Sequence, residues 1–198
     1  LKPSWSDKVA FNRFLVRVKK EIIAFDYEFN HNNPAPYVSA DELDSWLELS
    51  PEDVVLLDTR NRYETKFGTF VQAIVPAIDT FKEFKSFVDT IGDLKNKKIV
   101  TFCTGGIRCE KAATFLKEQG FEDVYQLKGG ILKYFEETTA RNYDGECFVF
   151  DRRVSLKTDL TTSDKAVCFS CRSPLTIEDC AHEHYALGHS CPYCFEQE

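Results

Sequence analysis

Long unbroken apolar runs mark the middle of the chain. Residues 53–58 (DVVLLD) and 98–103 (KIVTFC) are apolar almost throughout, and residues 123–127 (DVYQL) supply another predicted strand. Such runs are typical of parallel strands that are buried on both faces of a sheet. Residues 109–119 instead place apolar side chains at helical spacing, and Gly120 is suited to end that helix. The pattern therefore predicts three strands, with a helix between the last two.

Further helices are predicted around this set of strands. Ser39 is followed three residues later by Glu42, a spacing typical of a helix N-terminus, and an apolar helical face comes next. After a Gly-Gly turn, residues 131–137 (ILKYFEE) predict another helix. This alternation predicts an α/β domain with a mostly parallel sheet flanked by helices, which we place at residues 38–145.

The segments on either side of this domain are less regular. Residues 14–25 (FLVRVKKEIIAF) have a β-branched bias that predicts a strand, and a Pro- and Asn-rich stretch at residues 31–37 predicts a linker. The chain begins with Leu1 and contains no Met, so we expect residues 1–37 to be the remnant of a longer N-terminal module plus that linker. Residues 146–198 begin with an extended stretch and end in a cysteine-rich tail.

Composition narrows the class of protein. With 198 residues and 43% hydrophobic content, the chain is long enough for one full core and a smaller appended unit. Its net charge of -7 means that a nucleic acid would have to bind a local basic face. No apolar stretch approaches the ~20 residues that a membrane span requires, and no secretory leader is recognisable. We therefore expect a cytoplasmic protein without a membrane partner, and the sequence does not predict an oligomeric state.

Four of the eight cysteines form two Cys-x-x-Cys pairs, Cys168 with Cys171 and Cys191 with Cys194. Each pair can present two thiolates from a tight turn, so the sequence predicts a structural zinc site with four cysteine ligands. The tail is too short for a large core, and a metal would supply its folding free energy. Two alternatives stay open: Cys180 or a histidine replaces one ligand, or the cysteines are disulfides or free thiols.

Cys103 lies where ligands bind in open α/β sheets, beyond the carboxyl end of a strand. Residues 104–108 (TGGIR) lead directly into the predicted helix, so backbone amides and the positive end of the helix dipole point at the sulfur. Gly105 and Gly106 permit close approach of the backbone, and Arg108 adds a fixed positive charge. Because these features favour a thiolate, we predict a reactive cysteine instead of a buried structural one.

The spacing between Cys103 and Arg108 distinguishes two classes of enzyme. Cysteine phosphatases place the arginine one residue further from the nucleophile, which makes a loop wide enough for a tetrahedral phosphate. The shorter loop of this chain suits a single sulfur atom. A phosphatase would also usually need a general acid, and residues 38–145 contain no histidine. The sequence therefore favours sulfur chemistry over phosphate chemistry.

Two further residues of the predicted helix follow this loop. We interpret Cys109 as a small residue that packs at the helix start, and a role in resolving a persulfide or disulfide is the alternative. Lys111 is a candidate for binding an anionic substrate, although an exposed lysine needs no such role.

Two segments resemble a known domain. The loop CTGGIR at 103–108 is similar to the active-site loop of rhodanese domains, in which the cysteine carries a persulfide, and LLDTRNRYE at 56–64 resembles their upstream signature. The resemblance implies a rhodanese-like fold and a persulfide-capable Cys103. It also implies supporting roles for Asp58 and Arg60, which we interpret as a fold-stabilising ion pair.

A longer match covers nearly the whole chain. Segments from FLVRVKKEII through GECFVFDRRV to the final SCPYC resemble, in order, the bacterial tRNA uridine hydroxylase family. That family forms 5-hydroxyuridine at the tRNA wobble position with oxygen, so the resemblance implies tRNA as partner and molecular oxygen as co-substrate. It places the catalytic roles on Cys103 and Arg108. The anion- or substrate-binding positions are the loop residues between them, Thr104, Gly105, Gly106 and Ile107.

The residues themselves favour a thiolate but do not predict oxygen chemistry. Residues 38–145 lack the histidines that a non-haem iron centre would use, and no dinucleotide-binding fingerprint indicates a flavin. We therefore hypothesise that the Cys103 thiolate or its persulfide adds to the uridine ring and activates the neighbouring carbon. Two other functions stay open: a sulfurtransferase that moves sulfane sulfur to a thiol acceptor, and a catalytically silent binding module.

Overall fold

The computed structural model describes residue 11 and residues 16–19, 21–29 and 33–195. The strands in this part of the chain are β1 Tyr37–Val38, β2 Val54–Asp58, β3 Gly68–Phe70, β4 Lys98–Phe102, β5 Asp123–Leu127, β6 Tyr143–Gly145, β7 Cys147–Phe148, β8 Ser155–Leu156, β9 Ala166–Val167 and β10 Pro174–Leu175. The α-helices are α1 Ala40–Leu49, α2 Arg62–Thr65, α3 Phe84–Val88, α4 Ile107–Glu118, α5 Gly130–Glu137 and α6 Ile177–Ala181. Short 3-10 turns lie at Pro51–Asp53, Phe81–Glu83 and Gly92–Leu94. Within these described ranges, no helix is both long and apolar enough to cross a bilayer.

A parallel sheet of four strands, in the order β1–β5–β4–β2, lies at the centre. Leu57 faces Thr101 across β2 and β4, and Val100 faces Tyr125 across β4 and β5. Ile74 extends the edge beside β2 through a parallel bridge to Leu57. The two apolar runs of the sequence correspond to β2 and β4 and the segment 123–127 to β5, so the prediction of three strands in a mostly parallel sheet is confirmed.

The predicted helices form, and two of them begin earlier than their patterns indicate. The Ser39 hydroxyl accepts a hydrogen bond from the Glu42 amide at 3.3 Å, which caps α1 as predicted. Helix α4 begins at Ile107, because Gly106 adopts a φ of 87° and turns the loop directly into the helix. Helix α5 begins at Gly130. The loop after β4 is consequently shorter than the sequence pattern indicates.

Hydrophobic residues pack on both faces of the sheet. On one face, α3 and α4 cover a cluster that includes Ile99 and Leu116 and extends to Phe25. On the other face, α1 and α5 cover a second cluster that includes Val100 and Tyr134. Ile99 and Val100 are consecutive on β4 and point to opposite faces, as the alternation of a strand requires. Packing on both faces therefore holds β4, and with it the loop that follows, in a defined position.

The strand predicted for residues 14–25 is not formed in its described part. Residues 16–19 and 21–25 are irregular, and residues 14, 15 and 20 lie outside the described residues. The Phe25 ring instead inserts between Phe81 and Phe115, with centroid distances of 4.8 and 5.4 Å. This segment is therefore held by the burial of aromatic side chains and not by pairing with a neighbouring strand.

Two small antiparallel hairpins follow the sheet. Strand β7 pairs with β8 through a loop at residues 149–154, and β9 pairs with β10 in the cysteine-rich tail. Strand β6 pairs with β3, which ties the end of the α/β region back to its middle. The extended stretch predicted after residue 145 is thus a hairpin that stands beside the loop after β4.

Candidate active site

Cys103 directly follows β4 and is 3% exposed. Its sulfur accepts a hydrogen bond from the Gly106 amide at 3.1 Å, so the loop curls around the sulfur atom. The φ of 87° at Gly106 is in the left-handed region that favours glycine. At Gly105, by contrast, an added Cβ would meet nothing within 4 Å. Of the two glycines predicted to shape the loop, Gly106 is therefore the one that the backbone conformation requires.

The start of α5 holds the other side of this loop. The amides of Ile131 and Leu132 donate to the carbonyls of Cys103 and Thr104 at 3.0 and 3.1 Å. This approach is close enough that a Cβ at Gly130 would stand 2.7 Å from the Gly106 nitrogen. The sequence predicts only a turn at Gly130 and does not indicate this contact. The conformation of the loop is thus set by two helix N-termini, those of α4 and α5.

The Arg108 guanidinium pairs with Glu64 through two hydrogen bonds of 2.7 and 2.5 Å. Glu64 is fully buried and lies on α2, where its side chain also accepts from the Asn61 amide at 3.1 Å. Sequence reasoning missed Glu64, although it ends the DTRNRYE segment. The guanidinium is therefore held beside the loop by a buried carboxylate, and its charge reaches Cys103 from a fixed position.

The surroundings of Cys103 favour its thiolate. A hydrogen bond from the Cys109 thiol lowers the pKa of Cys103, and burial opposes this effect. The charge of Arg108 and the backbone amides of Arg108 and Gly106 lower the pKa further, to about 6. The ordinary value for a cysteine is 9.0. Near neutral pH Cys103 is therefore mostly ionised, as its reactivity requires.

Cys109 has the opposite character. It is fully buried at the start of α4, and burial together with the neighbouring Cys103 sulfur raises the pKa of its thiol well above 9.0. The Thr59 hydroxyl lies 3.9 Å from its sulfur. Cys109 therefore stays protonated near neutral pH, and its thiol is a donor to the Cys103 sulfur.

A cavity of about 560 Å³ opens in front of this loop. Its walls include Ile22, Tyr63, Cys103, Arg108 and Phe150. It is far larger than one additional sulfur atom needs, and its volume is in the range of small-molecule sites. The arrangement is therefore able to bring an organic substrate to Cys103.

Lys111 fixes one wall of this cavity. Its ammonium group donates to the Ile23 carbonyl at 2.6 Å and pairs with Glu21 at 3.1 Å. These contacts hold Ile22 and Ile23 at the rim. Lys111 thus has a structural partner on the N-terminal segment.

Asp58 and Arg60 form a fully buried ion pair of 2.7 Å. The Asp58 carboxylate also accepts from the Thr69 hydroxyl at 2.8 Å, and Arg60 donates to the Gly68 carbonyl at 2.7 Å. The pair therefore joins the end of β2 to β3. These contacts agree with its interpretation as a fold-stabilising pair.

The four cysteines of the two Cys-x-x-Cys pairs come together in the tail. The sulfur atoms of Cys168, Cys171, Cys191 and Cys194 all lie within 4.8 Å of one another, and three of their separations are 3.6, 3.7 and 4.0 Å. A tetrahedral ion with metal–sulfur bonds of ~2.3 Å separates its ligands by roughly 3.8 Å. Cys180 packs against the cluster but is not a member of the ligand group. The donor set therefore fits a four-thiolate metal site.

Comparison with known proteins finds a domain family, close relatives in sequence and a solved structure. A profile of the rhodanese-like domain matches residues 39–137. The tRNA uridine(34) hydroxylases of Burkholderia cenocepacia and Burkholderia lata are each 47% identical over 203 residues, which cover 98% of this chain and 70% of theirs. The solved rhodanese-like domain of an Anabaena protein is 25% identical, covers 56% of this chain and 79% of that chain, and has a TM-score of 0.47. The similarity to the two hydroxylases extends beyond the rhodanese-like region into both flanks.

Proposed function

Because this chain belongs to the tRNA uridine(34) hydroxylase family and contains a rhodanese-like domain, we propose that it converts uridine 34 of tRNA to 5-hydroxyuridine at Cys103. The observation that carries the role of Cys103 is its sulfur, which accepts the Gly106 amide at 3.1 Å beside Arg108 and lies in the lining of a cavity of about 560 Å³. The same surroundings lower the pKa of Cys103 to about 6, and a nucleophile in the wall of a cavity of this size is what attack on a nucleobase needs. Since tRNA is the substrate, we expect the activity in the cytoplasm.

The chemistry proceeds through addition to the uracil ring. The Cys103 thiolate attacks C6, and the electron pair of the C5–C6 double bond moves so that C5 becomes nucleophilic. C5 takes up one oxygen atom, and loss of the C5 proton with departure of the thiolate restores the double bond. The Gly106 amide and the Cys109 thiol stabilise the sulfur anion before attack and after departure.

Molecular oxygen is the source of the new atom, as the family resemblance implies. The O–O bond breaks, one oxygen atom enters the C5 hydroxyl group, and two molecules of a thiol co-reductant supply the two electrons and two protons that convert the other atom to water as they are oxidised to a disulfide. Reaction under ¹⁸O₂ is expected to yield 5-hydroxyuridine that is heavier by one labelled atom, as measured by nucleoside mass spectrometry. Label that enters from H₂¹⁸O and not from the gas would contradict this source.

We also propose that the four clustered cysteines would hold a structural zinc ion. Zinc bound by four thiolates has no open coordination position, so it supplies folding free energy to the tail and takes no part in the reaction. The fit of the sulfur separations to tetrahedral geometry supports this assignment.

The proposed function is tested in cells that lack the gene. Nucleosides of their tRNA are analysed after complementation with the wild-type gene, with Cys103→Ala or with Cys180→Ser, which changes a cysteine outside the loop. We expect 5-hydroxyuridine to return with wild type and Cys180→Ser and to stay absent with Cys103→Ala. Restoration by Cys103→Ala would remove Cys103 from the mechanism.

A sulfurtransferase is the second candidate, because the tight loop and the low pKa of Cys103 also suit a persulfide. Purified protein that turns over thiosulfate rapidly and leaves tRNA unchanged would favour it. A binding module without catalysis would instead be supported if Cys103 failed to alkylate near neutral pH.

A further inference from the structure

An exposed aromatic side chain stands at the mouth of the cavity in front of Cys103. Phe150 lines this cavity, yet 63% of its surface is exposed. Its ring contacts Phe148 edge-on at a centroid distance of 5.1 Å, and Phe148 contacts Tyr63 in the same manner at 5.5 Å. Much of the Phe150 side chain is therefore available to a ligand, and Tyr63 provides a second aromatic surface in the same cavity.

Several hydrogen bonds stabilise the loop that carries Phe150. Asp151 accepts hydrogen bonds from the Arg153 amide at 2.9 Å and from its guanidinium at 2.6 Å, and the Val149 amide donates to the Val154 carbonyl at 2.8 Å. These bonds close the turn between β7 and β8. An exposed phenylalanine on such a turn is pre-organised, so little conformational entropy is lost when a ring stacks on it.

This hairpin is also tied to the catalytic loop. The Thr104 hydroxyl donates to the Phe148 carbonyl at 3.3 Å, and the Arg108 guanidinium lies 5.9 Å from the centre of the Phe150 ring. The position of Phe150 relative to Cys103 is therefore set by direct contacts between the two loops.

Positive charge flanks these rings in a chain whose net charge is -7. The Arg172 guanidinium lies 4.8 Å from the centre of the Tyr63 ring and is exposed. Arg152, two residues after Phe150, is exposed, and no ion pair is found for it among the described residues. Aromatic faces interleaved with exposed arginines are the pattern that binds unpaired nucleotides, with the rings stacking on bases and the cations contacting phosphates.

We propose that Phe150 is the stacking platform for the uracil ring that reacts at Cys103, with Tyr63 as the second aromatic wall and Arg152 and Arg172 as contacts to neighbouring phosphates. This inference rests on the proposed function and adds to it a means of positioning the substrate. The base must leave the stack of the anticodon loop to reach Cys103, and an aromatic face compensates for the stacking that it loses.

The test measures binding of the full chain to two RNA probes by fluorescence anisotropy. One probe is an anticodon stem-loop with uridine at the wobble position, and the other has an abasic site there. The proteins compared are wild type, Phe150→Ala, Phe150→Leu, Phe150→Trp and Phe169→Ala. Phe169 is 70% exposed and lies in the cysteine-rich tail, so it controls for loss of an exposed aromatic residue elsewhere.

Wild type is expected to prefer the uridine probe by roughly 5- to 150-fold, the range measured for stacking of one base on an aromatic residue. Phe150→Ala and Phe150→Leu should lose this preference, whereas Phe150→Trp and Phe169→Ala should keep it. The midpoint of Cys103 alkylation by iodoacetamide should stay near pH 6 in Phe150→Ala, which shows that the loop still stabilises the thiolate, whatever the change in access to the cavity.

Equal preference in wild type and Phe150→Ala would overturn the inference, as would loss of preference in Phe169→Ala alone or a wild type without preference. Hydroxylation assays separate this outcome from failure of the proposed function. If wild type binds as expected but forms no 5-hydroxyuridine, the platform stands and the proposed reaction fails. If wild type hydroxylates tRNA and Phe150→Ala has the same KM, the platform alone fails.

Discussion

At the scale of single residues, the reactivity of Cys103 depends on a balance between two charges that the sequence does not place side by side. Arg108 stabilises the thiolate, and Glu64 neutralises part of the Arg108 charge. The Cys109 thiol and the Gly106 amide complete the stabilisation. The pKa of Cys103 therefore reports whether these groups surround the sulfur in solution.

The pH dependence of alkylation tests this directly. Only the thiolate reacts, so the rate of Cys103 modification by iodoacetamide should be half-maximal near pH 6, the folded pKa, and should fall as the pH is lowered through it. Mass spectrometry of the peptide that contains Cys103 gives the rate at each pH. A midpoint near the ordinary value of 9.0 would mean that the loop does not stabilise the anion.

Replacement of Glu64 by glutamine should shift this midpoint downward. The uncharged amide of the Glu64→Gln variant cannot neutralise Arg108, so the full guanidinium charge acts on the Cys103 sulfur. Because a buried ion pair is broken, the free energy of unfolding should also fall by about 3 kcal/mol. Alkylation profiles and urea denaturation measure the two effects. A midpoint that rises would show that Glu64 supports the thiolate by some other route.

The buried pair between Asp58 and Arg60 should affect stability more than a surface pair does. Asp58→Ala leaves the buried Arg60 guanidinium without its partner, and we expect a loss of about 3–5 kcal/mol in urea denaturation. Asp79→Ala breaks the exposed pair between Arg62 and Asp79 and serves as the control, with an expected cost of about 0–1 kcal/mol. Similar losses for both variants would contradict the structural role of the buried pair.

The sequence predicts those site residues whose defining neighbours lie close to them along the chain. Cys103 and the two Cys-x-x-Cys pairs are recognisable because the features that define them lie within a few neighbouring positions. Glu64 is 44 positions away from Arg108, and the contact of Gly130 with the loop arises only when α5 packs against it. Neither contact can be recognised from a short segment of sequence.

At the scale of elements, the cysteine-rich tail packs around a hydrophobic cluster of its own. Its four sulfurs pack with Leu175 in a small hydrophobic cluster separate from the two clusters of the sheet. Lys66 donates to Ser173 at 2.9 Å, which joins the tail to the end of α2. A metal in this tail would therefore help to position Arg172 over Tyr63.

Loss of the metal should weaken substrate binding while leaving the sheet folded. Cys194→Ser should reduce bound zinc from about one ion per chain to a small fraction, because four thiolates are needed for tight binding. The KM for tRNA should rise as Arg172 loses its support, and kcat should change less. Metal analysis and steady-state kinetics check both points, and Cys180→Ser is the matched control. Unchanged zinc content in Cys194→Ser would exclude this ligand set.

The elements themselves were predictable to differing degrees. Strands β2 and β4 follow from continuous apolar runs, which a sheet buried on both faces imposes, and β5 follows from a shorter strand-like segment. Strand β1 includes Tyr37, which the sequence pattern predicts to lie in a linker. The strand was missed because its pairing with β5 uses backbone groups and needs no apolar run. Residues 21–25 have strand-like composition but are irregular, since Phe25 is buried among other aromatic rings.

At the scale of the whole molecule, the proposed phosphate contacts require an acidic chain to bind a polyanion through a small basic region. Because Arg152 and Arg172 are the proposed phosphate contacts, the salt dependence of tRNA binding should reflect few such contacts. The net charge of -7 gives no sign of such a region, because a total charge does not show where the charges lie.

Replacement of both arginines by Ala should reduce the steepness of the salt dependence. Each lost phosphate contact lowers the slope of log K against log salt by about 0.7, so the double variant should lose about 1.4 in slope. Arg141→Ala, which removes a partner of Glu48, should leave the slope unchanged. Binding titrations at several salt concentrations give the slopes, and equal slopes in wild type and the double variant would disprove the assignment.

Reaction of the Cys103 sulfur with uridine 34 is tested most directly by the rate at which purified protein forms 5-hydroxyuridine. Wild type, Cys103→Ser and Cys180→Ser are compared on unmodified tRNA under oxygen. A serine hydroxyl does not ionise near neutral pH, so Cys103→Ser should be slower by on the order of a thousandfold or more, with Cys180→Ser equal to wild type. A Cys103→Ser variant that forms 5-hydroxyuridine at the wild-type rate would contradict the account.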